Sequence, residues 1–441
     1  MRLAELASVQ DYEYFVGNDL FRQRQKRDFL ADKIRNPRLD YPQIDAVKIK
    51  TKMAGLEKLK VEIGTKENNR LVRQAYTDKI EEKTNELMLV LCSREISRSK
   101  DETNIKKHSR HFQRLTESLY GKPMPGIFNY ALKNLRTKIV RNINHHNFII
   151  GQASEELLSR LPMPDEKFTK KFGFWKNKRN LSRVKKMLME EISLLLELRD
   201  EDKNFAPAEI KEFFENKIKQ LGFNEWAVKI DANYRTISVD QKNKSIYVPK
   251  DREIDAASLE KLVLHEIGVH VLRRENGERS KLKLLGLGLD HYEIGEEGLA
   301  SLVEGFFEDK INFGFFNLLS YVAIGMVYGV DGQRRDFRDL YEILIKLYLY
   351  MGLAANPDKS IEDIKQKAVN NAYNRCVRIF RGTSCQVSGV CFTRDMIYLK
   401  GKICMWDVIN NNPQELKRVY CGKYNPCNDR HIQLLDDLGI Q

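Results

Sequence analysis

Residues 66–98 (KENNRLVRQAYTDKIEEKTNELMLVLCSREISR) pair opposite charges at helical spacing and contain neither proline nor glycine. That pattern predicts a long helix. Residues 104–119 and 126–150 continue it, with Gly121, Pro123, Pro125 and Gly126 as interruptions. Pro162 and Pro164 make a second break. The chain changes character near Asn204. A helix is expected over Ala208–Gly222, followed by three short strand-like runs, Trp226–Ile230, Thr236–Val239 and Ser245–Val248. DQKNK between the last two reads as a hairpin turn. Helical patterning resumes over 258–275, 293–310, 313–329, 335–353 and 361–375. The order divides the chain into a helical N-terminal domain, 1–205, and a second domain, 206–441.

One helix is not amphipathic. SLEKLVLHEIGVHVLRRENG, residues 258–277, is apolar on nearly every side, and such a helix is buried. Inside it lies His265-Glu266-x-x-x-His270. Two imidazoles and a carboxylate in an apolar interior are costly unless compensated. A divalent metal compensates all three. The spacing is one residue longer than the i, i+4 pair of the usual zinc helix. Residues i and i+5 of an ideal helix stand about 140° apart, too far to share an ion. The extra residue therefore requires a π-bulge. It is expected at Ile267–Val269, where Gly268 tolerates distortion.

A catalytic zinc takes three protein ligands and keeps a position for water. The third ligand is sought in YEIGEEGLASLVEGFFEDK, residues 292–310. Leu299, Leu302, Val303, Phe306 and Phe307 form one apolar stripe there. Glu297, Ala300, Ser301 and Glu304 form the opposite face. Glu297 is the expected ligand, Glu296 competes with it, and Glu304 is the expected acceptor for a ligand histidine N–H. One zinc per chain follows, since N/N/O ligation with an open position suits that metal. Glu266 is then the general base for a zinc-activated water. Strands just ahead of the helix would set a sheet edge beside the metal, where a peptide can add as a strand. The expected fold is α+β and predominantly helical. It combines a gluzincin-like metallopeptidase core and small antiparallel sheet with an N-terminal helical domain.

At these residues the chain resembles the tyrosine/phenylalanine carboxypeptidase domain family. Its members include the microtubule-associated tyrosine carboxypeptidases of animals and bacterial proteins named for a QEGLA motif. HEIGVH with the following Asn276-Gly277 is similar to the family's metal helix. EEGLA, residues 296–300, is similar to QEGLA with Glu296 in place of the glutamine. The motif's glutamate, its second residue, is the family's ligand, which favours Glu297. FLADKIRNPRLDYP at 29–42, LYGKP at 119–123, RIFRGT at 378–383 and FTRDMIYLKG at 392–401 also resemble family segments. A longer-range likeness is to HExxGH peptidases of the dipeptidyl-peptidase III type, which carry the same extra residue. The resemblance implies release of a C-terminal tyrosine or phenylalanine. Such a reaction needs a cation for the free carboxylate. Arg381 and Arg394 are favoured, ahead of Arg378 and Lys400, and Tyr398 is a candidate oxyanion donor.

Net charge is +13, which suits an acidic peptide, nucleic acid or an anionic membrane surface alike, and equally a merely solvated basic surface. Residues 167–186 hold nine cations and no acidic residue, interleaved with aromatics. A solvated loop explains this better than a nucleic-acid surface. Seven cysteines, an odd number in a long chain, argue against a disulfide framework and for buried free thiols in a reduced, cytoplasmic setting. Cys385-x5-Cys391 and Cys421-x5-Cys427 lack zinc-ribbon spacing. No signal peptide is read at the N-terminus. Phe313–Val330 reaches spanning length, but Asn317, Ser320 and three glycines point to a buried helix. Two other functions fit the same residues: an aminopeptidase or endopeptidase on this core, and a non-catalytic basic binding protein. Retention of Glu266 argues against the latter.

Overall fold

The computed structural model describes residues 2–6, 11–15, 17–144, 147–169, 178–195, 203–307, 314–356 and 359–441. Residues 170–177 of the basic, aromatic segment lie outside them, as do 308–310 of the expected 293–310 helix. Helices dominate, and small sheets complete an α+β architecture. Residue 66 ends a preceding helix, Ala46–Lys66, so the helix expected over 66–98 runs Arg70–Arg98. Asn69 sets its start by accepting hydrogen bonds from the backbone N–H groups of Leu71 and Val72. The 126–150 stretch is two helices, Pro125–Val140 and Phe148–Arg160. Asn147 caps the second by accepting from the Ile149 N–H.

The three-stranded sheet is mixed, which corrects the antiparallel expectation. Ser238–Asp240 and Ser245–Pro249 do form the antiparallel hairpin. Ala227–Asp231, however, lies parallel to Ser245–Pro249, with Val228 opposite Ile246. The connection between the first two strands doubles back over the central strand, where Tyr234 stacks on Tyr247 at 4.3 Å between ring centroids. The first strand is thereby left on the far side, running the same way. Ser238–Asp240 remains as an edge of this sheet.

Asp255 caps the next helix by accepting from the Ser258 N–H at 2.8 Å. That helix, Ala256–His265, passes into a π-helical turn over Glu266–Val271 and continues as Leu272–Arg279. Leu259, Val263, Leu264, Ile267, Val269 and Val271 are fully buried, as the all-round apolar pattern predicts. Phe315–Tyr328 is likewise a core helix, with Tyr321 to Ile324 buried. Among the described residues no helix is long and apolar enough to cross a membrane. Cys404 and Cys427 are joined in a disulfide, which corrects the expectation of free thiols for that pair. The other five are free, and four of them are buried.

Glu293–Phe307 crosses Met396–Asn411 backbone against backbone. A Cβ on Gly298 would stand 2.3 Å from the Gly401 carbonyl oxygen, and one on Gly401 would stand 2.3 Å from that of Ile294. Neither obstacle is a side chain that can turn aside. Gly401→Ala is therefore expected to destabilise the fold by about 2–3 kcal/mol, read from its denaturant midpoint. An unchanged midpoint would show that the two helices do not touch here.

Candidate active site

The π-turn has a direct geometric effect. It carries the extra residue between His265 and His270 and brings their rings to 4.9 Å between centroids. His265, Glu266 and His270 offer ligand atoms that all lie within 4.8 Å of one another. The three line a cleft of about 350 Å³. Ile237, Ser238, Val239 and Gln241 of the sheet edge form one wall, and Glu293, Glu296, Glu297, Arg394 and Tyr398 contribute to the rest.

Each histidine is held from behind. A carboxylate can only accept, so the ring nitrogen facing it carries the proton. His265 Nδ1–H donates to Glu304 Oε1 at 2.7 Å. His270 Nδ1–H donates to Glu296 Oε1 at 2.8 Å. Both rings thus keep Nε2 for another partner. Glu296, weighed as a metal ligand, is instead bound on three sides. Lys423 Nζ sits 2.9 Å from its Oε1 and Arg273 Nη1 sits 3.3 Å from its Oε2. Glu297 lines the same cleft without belonging to the tight trio.

The electrostatics suit a site that takes a cation. Burial opposes charge on His265, yet the Glu304 hydrogen bond and the charges of Glu266, Glu304 and Glu297 outweigh it and hold its pKa up at about 9. Burial raises the Glu266 carboxyl above the usual range, against the pull of the two histidines. Carboxylates thus crowd two imidazoles, the donor set a divalent metal with N/N/O ligands would take. Burial also opposes the Glu296 charge, but Lys423, His270 and Arg273 hold its carboxyl far below the usual range. The charge of Glu297, then burial, pushes the Tyr398 phenol up to about 12, so it stays a hydrogen-bond donor.

The four candidate cations are placed differently. Arg394 lines the cleft, and its Nη2 donates to Glu293 Oε2 at 3.0 Å. Arg378 pairs through two nitrogens with Asp395, which also takes Arg381 Nη2 at 3.4 Å. Lys400 Nζ donates to the Tyr120 carbonyl at 2.9 Å, and burial lowers its pKa to about 8. Arg378, Arg381 and Lys400 do not appear on the cleft wall. Glu293 could have been found in the sequence, since it lies one helical turn before Glu297 on the same face. Arg273 follows His270 by three residues and could also have been read. Lys423 left no such signal, because its distance in sequence hides its contact.

A family model described as microtubule-associated tyrosine carboxypeptidase matches residues 169–346 and 361–440, well over half of the chain. No curated protein and no solved structure matches. The matched stretches include the π-turn, the EEGLA helix, Arg394 and Tyr398, and the chain accordingly belongs to the microtubule-associated tyrosine carboxypeptidase family.

Proposed function

We propose that this protein is a zinc-dependent carboxypeptidase that releases a C-terminal tyrosine or phenylalanine from a peptide or protein. Membership of a carboxypeptidase family supports the reaction class. The zinc reading is carried by the convergence of His265 and His270 across the π-turn, each ring fixed by a carboxylate, with Glu266 beside them. His265, His270 and Glu297 would hold the ion in a gluzincin-like core. On this reading residues 206–441 form the catalytic domain behind a helical N-terminal domain, 1–205.

Bound zinc supplies Lewis acidity that lowers the pKa of a water from 15.7 to about 7. Glu266 takes the proton from the attacking water and passes it to the leaving amine. Tyr398 donates to the developing oxyanion. The edge strand Ser238–Asp240 offers its backbone to the substrate chain. Arg394, steadied by Glu293, binds the terminal carboxylate. A net charge of +13 favours a substrate with an acidic tail.

The test is a peptide series that differs only in its last residue, with an amidated copy of the tyrosine peptide. Tyrosine and phenylalanine should be released, and amidation should block release. Arg394→Ala should raise KM for the free acid by about 10–100-fold, the worth of a lost charge-assisted hydrogen bond. Equal cleavage of acid and amide would indicate an endopeptidase. Release from the N-terminus would indicate an aminopeptidase.

A further inference from the structure

The segment behind His270 is a second, buried polar centre. Arg273 is fully buried, and Lys423 and Glu296 are nearly so. Arg273 Nε donates to the carbonyls of Val419 and Gly422 at 2.8 and 3.0 Å, and Nη2 donates to that of Tyr424 at 2.9 Å. Its remaining nitrogen meets Glu296. Lys423 is fixed at both backbone ends: its N–H donates to the Leu285 carbonyl at 2.8 Å, and its carbonyl accepts from the Leu289 N–H at 2.9 Å. The Lys423 ammonium therefore arrives at Glu296 from a rigid support. Two cations from separate parts of the chain grip one carboxylate, and that carboxylate touches His270.

A carboxylate placed only for charge balance would not need to face an imidazole N–H. Here one oxygen, Oε1, serves both Lys423 and His270. Lys423 thereby fixes where the acceptor sits, and the acceptor fixes which ring nitrogen bears the proton. We propose that Lys423 and Glu296, with Arg273 as the clamp, are positioning residues that set the tautomer and orientation of His270, so that the C-terminal segment Val419–Tyr424 is part of the metal site. The inference rests on the zinc reading above.

Two double variants separate positioning from charge balance. Glu296→Gln with Lys423→Met removes the ion pair but keeps a side-chain oxygen at His270 Nδ1. Glu296→Leu with Lys423→Met removes both. Zinc affinity of the full chain, measured by competition with a chelator, should fall about 10–100-fold in the leucine variant. The glutamine variant should recover only part of that loss, the remainder being the share Lys423 contributes by fixing the acceptor, while the two metal-free proteins unfold at similar temperatures; full recovery would remove Lys423 from the positioning role. Equal zinc affinity in both variants, beside a wild type that binds one zinc, would overturn the positioning role alone. A wild type that binds no zinc would overturn the reading beneath it. If the leucine variant does not fold, histidine nitrogen NMR of the zinc-loaded wild type decides: a proton on His270 Nδ1 is expected, and one on Nε2 overturns the proposal.

Discussion

Glu266→Gln is expected to lower kcat/KM on a tyrosine-ended peptide by about 10³–10⁴-fold, toward the upper range for a lost general base. Zinc content should not change, because the proposed ligands are His265, His270 and Glu297. Stability gives an independent readout on metal-free protein. Burial sets the Glu266 carboxyl above its ordinary value of 4.5. A carboxyl raised in the folded state favours folding while protonated, and that contribution disappears as pH climbs through the folded pKa. Metal-free wild type should therefore lose stability over that rise, and the glutamine variant should lose less. Activity within tenfold of wild type would remove Glu266 from the proton transfers.

His270→Ala should have the largest effect on metal content. Wild type is expected to bind one zinc, and the variant should retain almost none after dialysis against a chelator. A ligand present at about 1,000 times its Kd stabilises the folded state by about 4 kcal/mol. Zinc should thus raise the melting temperature of wild type and leave that of the variant unmoved. The corresponding change at His265 should behave alike, because the two rings lie 4.9 Å apart and face the same cleft. Full zinc occupancy in both variants would place the ion elsewhere. Peptide hydrolysis should fall with the metal in each case.

The candidate site was legible in the chain to different depths. The apolar surroundings of His265-Glu266-x-x-x-His270 announced burial, and the five-residue spacing demanded a π-turn, which runs over Glu266–Val271. The face shared by Glu297 and Glu304 was readable from periodicity, and Glu304 does meet His265. The hairpin 238–249 was readable from its turn residues. The parallel partner of that hairpin was not, because strand direction depends on how a connection crosses the sheet. The long helical patterns were right in kind and wrong at their ends, where Asn69 and Asn147 supply caps.

The sequence by itself determined the local chemistry: which helix is buried, which side chains it carries, and that its backbone must widen between the histidines. Those features follow from residue type and spacing along a single element. Only the tertiary structure decided that Glu296 meets His270, Lys423 and Arg273 rather than standing as a free carboxylate, that Arg394 lies on the cleft wall, and that Cys404 meets Cys427. Each of these depends on segments far apart in sequence meeting in space, as Lys423 meets Glu296, and no periodicity within one segment encodes such a meeting.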